Sequence, residues 1–377
     1  MAPETFAERM ERSGYTTGFD YLRIGLAAAV VLWHSVAASG DAVARAVALG
    51  PIVGPFQWLI LPMFFALSGF LVSGSLHRSR TITGFVTLRV LRLMPALSVE
   101  VLLSALFIGP LLTTKTFYQY FSDPEFFRYF WNIVGHIHFE LPGVFDDNPM
   151  AGIVNISLWT VPYELECYLA IVGFAVFGIF ARPKLFAATT LFLTVALTAL
   201  ILYKISGGGM TGGRNGRMLV LAFLWGSTIY LFKNHIPLSK WLALVSLLSI
   251  FTLYPLPETR ALGVIPAAYL TVFLGLQTPK KIIGGDYSYG VYLFAFPIQQ
   301  YIVSFHSLRY WWIIFLIALP LSICYAAFSW HCIEKPILDR KNSMVNLIEI
   351  LISRLRSRFT PVAPGVHTSN KVSSTES

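Results

Sequence analysis

Apolar runs of about twenty residues recur along this chain, each parted from the next by a short polar loop, and that pattern limits the possible folds severely. Inside a bilayer only a helix or a closed barrel satisfies its own backbone donors and acceptors, and runs of this length suit helices. The sequence therefore predicts an all-α polytopic membrane protein of about ten transmembrane helices, at 19–39, 56–76, 93–113, 161–180, 185–203, 217–232, 241–255, 261–277, 288–304 and 310–330. Only 12% of residues are charged, about half the share in soluble domains. Mean hydropathy is +0.65.

An even number of spans puts both termini on one side. With the N-terminus inside, 20 of the 28 lysines and arginines fall on the cytoplasmic side, so both termini are expected to be cytoplasmic. The net charge of +9 then reflects this asymmetry, and nucleic acid is not expected as a partner. Cys167, Cys324 and Cys332 show neither metal spacing nor a disulfide framework. The polar N-terminus lacks the apolar core of a cleaved signal, so the first span is expected to be retained. The expected organisation is a cytoplasmic segment (1–18), a transmembrane domain (19–336), a cytoplasmic amphipathic helix (337–359) and a disordered tail (360–377). The amphipathic helix suits the inner leaflet or an oligomer contact, leaving a homo-oligomer open.

The first span, FDYLRIGLAAAVVLWHS, carries Asp20 and Arg23 near one end and His34 near the other. Arg23 and His34 lie eleven positions apart, so they share a helix face and sit ~16 Å from each other along the axis. Ionisable groups in a span mark a functional face, or a snorkelling arginine with a satisfied core histidine. Arg89 and Arg92 share a face just before the third span. Two guanidinium forks there suit a multiply phosphorylated ligand or plain anchoring to anionic lipid. The long loop at 114–158 is dense in aromatics, which serve as an interfacial belt or as platforms for sugar rings. His136 and His138 alternate without a third ligand, so no metal site is expected. Glu164 and Glu166 enter the fourth span, as acid, base or orienter or as boundary residues. The glycine-rich 206–217 reads as a flexible external turn, and His331 and Glu334 as boundary residues at the inner surface.

Several segments in order resemble the bacterial integral-membrane acyltransferases, acyltransferase family 3. FDYLRIGLAAAVVLWHS is similar to that family's first span, with its Arg and His separated by ten residues. PMFFALSGFLVSGS resembles its Phe-Phe-x-x-Ser-Gly-Phe-Leu stretch and places Ser68 on it. LRVLRLMPA, SLWTVPYELECYL (with Glu164 and Tyr168), DYSYGVYLFAFP and the closing IEKP follow at the family's spacing, from residue 19 to 336. Two departures stand out. The paired acids after the tryptophan are split here by Leu165, which favours Glu164 over Glu166, and the glycines around Asp20 and Arg23 are missing.

The resemblance implies transfer of an acyl group, usually acetyl from acetyl-CoA, to a carbohydrate hydroxyl. A multi-pass protein of the bacterial inner membrane is then expected, with a glycan acceptor and acyl-CoA as donor substrate, and no permanently bound cofactor. A cell-surface or exported polysaccharide suits the short extracellular part. Arg89 and Arg92, with Arg23 nearby, would dock the nucleotide phosphates, and His34 would act as base. Glu164 would orient His34 or hold the sugar, Asp20 would hold Arg23, and Ser68 and Tyr168 would support the site. A transporter or flippase for a lipid-linked sugar is the competing class; it commonly shows internal repeats, and no half-to-half similarity is evident here.

Overall fold

The computed structural model describes residues 3–14, 17–206, 216–279 and 285–359, with side chains through 355. Most of the glycine-rich turn, Lys280, Lys281 and the tail from Thr360 lie outside the described residues. Within them the regular structure is helical, broken only by three isolated β-bridges. A helix occupies each apolar segment: α1 Gly18–Ser39, α2 Gly54–Arg78, α3 Ile82–Leu103, α4 Val161–Val176, α5 Pro183–Ser206, α6 Arg217–Leu231, α7 Lys240–Leu253, α8 Val264–Gly275, α9 Ser288–Ser304 and α10 Trp311–Ser329. Five are long and apolar enough to cross a membrane: α1, α2, α3 with its continuation to Leu112, α5, and α10 with its continuation to Asp339. The remaining helices are shorter, α8 having only 12 residues. After the transmembrane region α11, Lys341–Phe359, lies against the start of α3, where Thr81 donates to Glu349.

The ends of the helices follow from their residues. Gly40 closes α1 in the left-handed region at φ 74°, where a side chain would also collide with Pro149. Thr81 caps α3 by accepting from the Gly84 amide, and Ser239 caps α7 through Leu242. Prolines interrupt α2 (Pro62), α3 (Pro95), α9 (Pro297) and α10 (Pro320), and neighbouring helices pack around the buried Pro62 and Pro297.

Helix α2 is the centre of the bundle: 61% of its apolar window is buried, against 28% for α5 and α10. It lies closest to α6. Gly69 faces the Phe223 carbonyl and Gly226 faces the Ala66 carbonyl, so each helix offers a glycine to the other's backbone. Ser227 ties the crossing by donating to the Gly69 carbonyl at 3.2 Å. Helices α1, α9 and α10 form a second group. There the Gln299 amide reaches from α9 to the Val31 carbonyl (2.6 Å) and Ser35 Oγ (2.7 Å) on α1.

The segment between α3 and α4 has a small core of its own. Tyr120, Phe126 and Tyr129 are buried in it, while Phe117, Tyr118, Phe127 and Trp131 are exposed. Its aromatics therefore divide: part of the stretch holds the loop together, a role that neither a belt nor a stacking platform describes. Asp123 caps the turn that follows it, and hydrogen bonds from the Glu125 amide and Lys115 hold its carboxyl below the usual range. Below this loop core sits Glu100 on α3, fully buried, accepting from Ser104 Oγ (2.9 Å) and Asn155 Nδ2 (2.8 Å). Asn155 also donates to the Leu293 carbonyl of α9, which pins the end of the loop to the bundle.

Candidate active site

Six helices, α1, α2, α3, α4, α6 (through Phe223) and α9, together with the loop end, line a cavity of about 170 Å³. Helix α1 contributes Arg23, α2 contributes Leu61 to Val72 on one face, and α3 contributes Arg89, Arg92 and Leu93. The end of the loop and α4 add Thr160, Glu164 and Tyr168, and the start of α9 adds Asp286, Ser288, Tyr289 and Tyr292. Six of the residues singled out by sequence meet here: Arg23, Ser68, Arg89, Arg92, Glu164 and Tyr168.

The three arginines are not equivalent. Asp286 Oδ2 accepts from Arg23 Nη1 at 2.9 Å and from Arg92 Nη2 at 2.5 Å, and its Oδ1 accepts from Ser288 Oγ. Arg92 also pairs with Glu334 at 3.3 Å and lies over the Trp330 ring. Asp20 stands farther from Arg23, at 3.9 Å, so the acid that mainly holds Arg23 is Asp286. Arg89 donates to Ser75 Oγ at 3.2 Å and sits over the Phe85 ring, and its buried Nε has no hydrogen-bond acceptor. The guanidinium not matched with a carboxylate thus lines the cavity wall, which suits a bound anion.

Glu164 Oε1 accepts from the Tyr168 hydroxyl at 2.5 Å, and the i, i+4 spacing keeps both on the inward face of α4. Glu166, two places on, is exposed and outside the cavity lining. His34 lies elsewhere. It is buried, edge-on to Phe296, and lines a much smaller cavity of about 10 Å³ with Val30, Trp33, Ile60, Leu61, Trp159 and Tyr292. Leu61 and Tyr292 line both cavities and so form the partition between them. The Tyr292 hydroxyl is fixed by the Ser157 carbonyl (3.1 Å) and Thr160 Oγ1 (2.7 Å).

Sequence reasoning did not identify Asp286, Glu334 or Tyr292 as members of the site. Glu334 reads as a boundary residue, yet a π-helical turn at Trp330–Glu334 buries it beside Arg92. The available signal for Asp286 and Glu334 was charge matching, since two arginines at the mouth of a cavity require acids from other helices. His331 meets the Tyr287 hydroxyl at 3.1 Å. His136 and His138 contact each other at 2.9 Å, and among the described residues no three His, Cys, Asp or Glu side chains gather as metal ligands.

A direct test of this charge arrangement is Asp286→Asn. The groups are about three-quarters buried, so removing the shared acid is expected to cost about 1–3 kcal/mol, less than for a fully buried pair. A fall of several degrees in the thermal midpoint of the purified protein checks it.

The model of the acyltransferase domain family matches residues 16–331, which takes in every cavity residue named above. An "O-acetyl transferase" of Shigella phage Sf6 is 25% identical over 354 residues, 87% of this chain and 98% of its own length. "Nodulation protein 10" of Rhizobium leguminosarum bv. viciae is 24% identical over 368 residues, 88% of this chain and 96% of its own. No solved structure matches significantly.

Proposed function

The chain belongs to the acyltransferase family whose domain model it matches, and from that premise we propose that this membrane acyltransferase moves an acetyl group from acetyl-CoA to a hydroxyl of a cell-surface or exported polysaccharide or its lipid-linked precursor. The observation that carries the reading is the convergence of Arg23, Arg89 and Arg92 on one cavity whose far wall, Leu61 and Tyr292, is shared with the His34 pocket. The reading includes ten membrane crossings with both termini in the cytoplasm, residues 19–336 as the catalytic unit, and residence in the inner membrane.

Arg89 and Arg92, with Arg23, bind the donor's phosphates at the cytoplasmic mouth, and the nucleotide stays outside. A cavity of about 170 Å³ takes an extended thiol arm, not the whole of CoA. His34, ~16 Å along α1 from Arg23, then meets the thioester. In direct transfer the imidazole takes the acceptor hydroxyl's proton as its oxygen attacks the carbonyl carbon. The C–O bond forms, the C–S bond breaks, and the proton passes to the departing thiolate. Glu164 and Tyr168 hold the sugar or the arm in the larger cavity. The apolar walls limit hydrolysis by excluding water.

The test supplies purified protein in nanodiscs with radiolabelled acetyl-CoA and crude surface polysaccharide. Label is expected in an alkali-labile ester on the glycan, and to fall at least tenfold in Arg89→Ala/Arg92→Ala. Absence of both transfer and CoA binding would overturn the reading and favour a sugar transporter.

A further inference from the structure

The two cavities differ in size by more than tenfold, and the histidine lies in the smaller one. By this measure a single water-sized group needs about 10–15 Å³, so the His34 pocket, at about 10 Å³, has room for no more than one such small group. Its walls leave little slack. Val30 and Leu61 are almost fully buried on α1 and α2, Trp33 and Trp159 add two indoles, and Tyr292 is held by two hydrogen bonds. Close-packed interiors resist an added methylene because neighbours must leave their rotamers. An acyl carbon that passes between Leu61 and Tyr292 to reach His34 must place its chain in this space.

We propose that the His34 pocket is the acyl-chain subsite, and that Leu61 and Val30 restrict the donor to a two-carbon acyl group. This rests on the transferase reading above, in which the thioester reaches His34. Leu61 has a double role, since it walls the subsite and also separates it from the donor cavity. Truncating Leu61 merges the two spaces, whereas truncating Val30 deepens the subsite and leaves the partition in place.

The experiment measures initial transfer rates from acetyl-, propionyl- and butyryl-CoA to crude surface polysaccharide, with the full chain in nanodiscs. The readout is the butyryl-to-acetyl ratio within one preparation, which cancels differences in the folded fraction. One methylene in a tight apolar pocket is worth about 10–200-fold, so wild type is expected to disfavour propionyl by about that factor and butyryl more strongly. Leu61→Ala, and independently Val30→Ala, are expected to raise the ratio by about tenfold or more. Two variants guard against misfolding in one. Equal wild-type rates with all three donors, or an unchanged ratio in both variants, overturn the subsite while leaving the transferase reading intact. No transfer from any thioester by wild type overturns both.

Discussion

His34→Ala is expected to lower acetyl transfer by about 10²–10⁴-fold, the range associated with losing a positioned general base. The fold should survive. His34 sits against Phe296 in a small pocket, and its removal leaves a small void at one point of α1. A loss of about 1–2 kcal/mol in stability is expected, within the usual range for one substitution. Label transfer to glycan, measured beside the thermal midpoint, separates the two effects. Glu164→Gln is the informative companion, because it preserves shape and an acceptor for the Tyr168 hydroxyl while removing charge from the larger cavity. If His34→Ala retained activity within a few-fold of wild type, the base would have to be sought around Glu164.

Gly226→Val is expected to remove folded protein altogether. A Cβ at Gly226 would overlap the Ala66 carbonyl, and the reciprocal Cβ at Gly69 would overlap that of Phe223. Backbone cannot step aside as a side chain does, so α2 and α6 must separate along their whole contact. That contact joins two largely buried helices, and the cost should reach the class of about 4–5 kcal/mol reserved for severe core defects. Gly173→Ala is the control. Nothing lies within 4 Å of its added Cβ, and the gain in helix propensity makes it neutral or slightly stabilising. Detergent-solubilised yield and monodispersity of the two variants check the contrast.

Much of this architecture was legible because membrane spans announce themselves by composition and length. A helix occupies each apolar segment, though α3 begins at Ile82, eleven residues early; Arg23 and Glu164 stood out as charges where charges are costly, and Arg89 and Arg92 as a basic pair beside the third span. Their convergence could not be read from spacing, which relates residues on one helix and says nothing of which helices meet. Asp286 shows the limit: it precedes α9 in a run of tyrosines and small residues, and its role depends on α1 and α3 both reaching it. Glu334 shows another, since a π-helical turn shifts the register of the chain and brings an apparent boundary acid inward. The separation of His34 from the arginine cavity depends on the side chains of Leu61 and Tyr292, which look like ordinary core residues in sequence.

The pairing of Arg23 with Asp286 also has a temporal side. The two residues are 263 positions apart, so at about 5–20 residues/s Arg23 enters the membrane roughly 13–53 s before its main counter-ion has been synthesised. Throughout that interval Asp20, one helical turn away, is the nearby acid on the same helix. In the finished protein Asp20 stays 3.9 Å from Arg23, behind Asp286 at 2.9 Å.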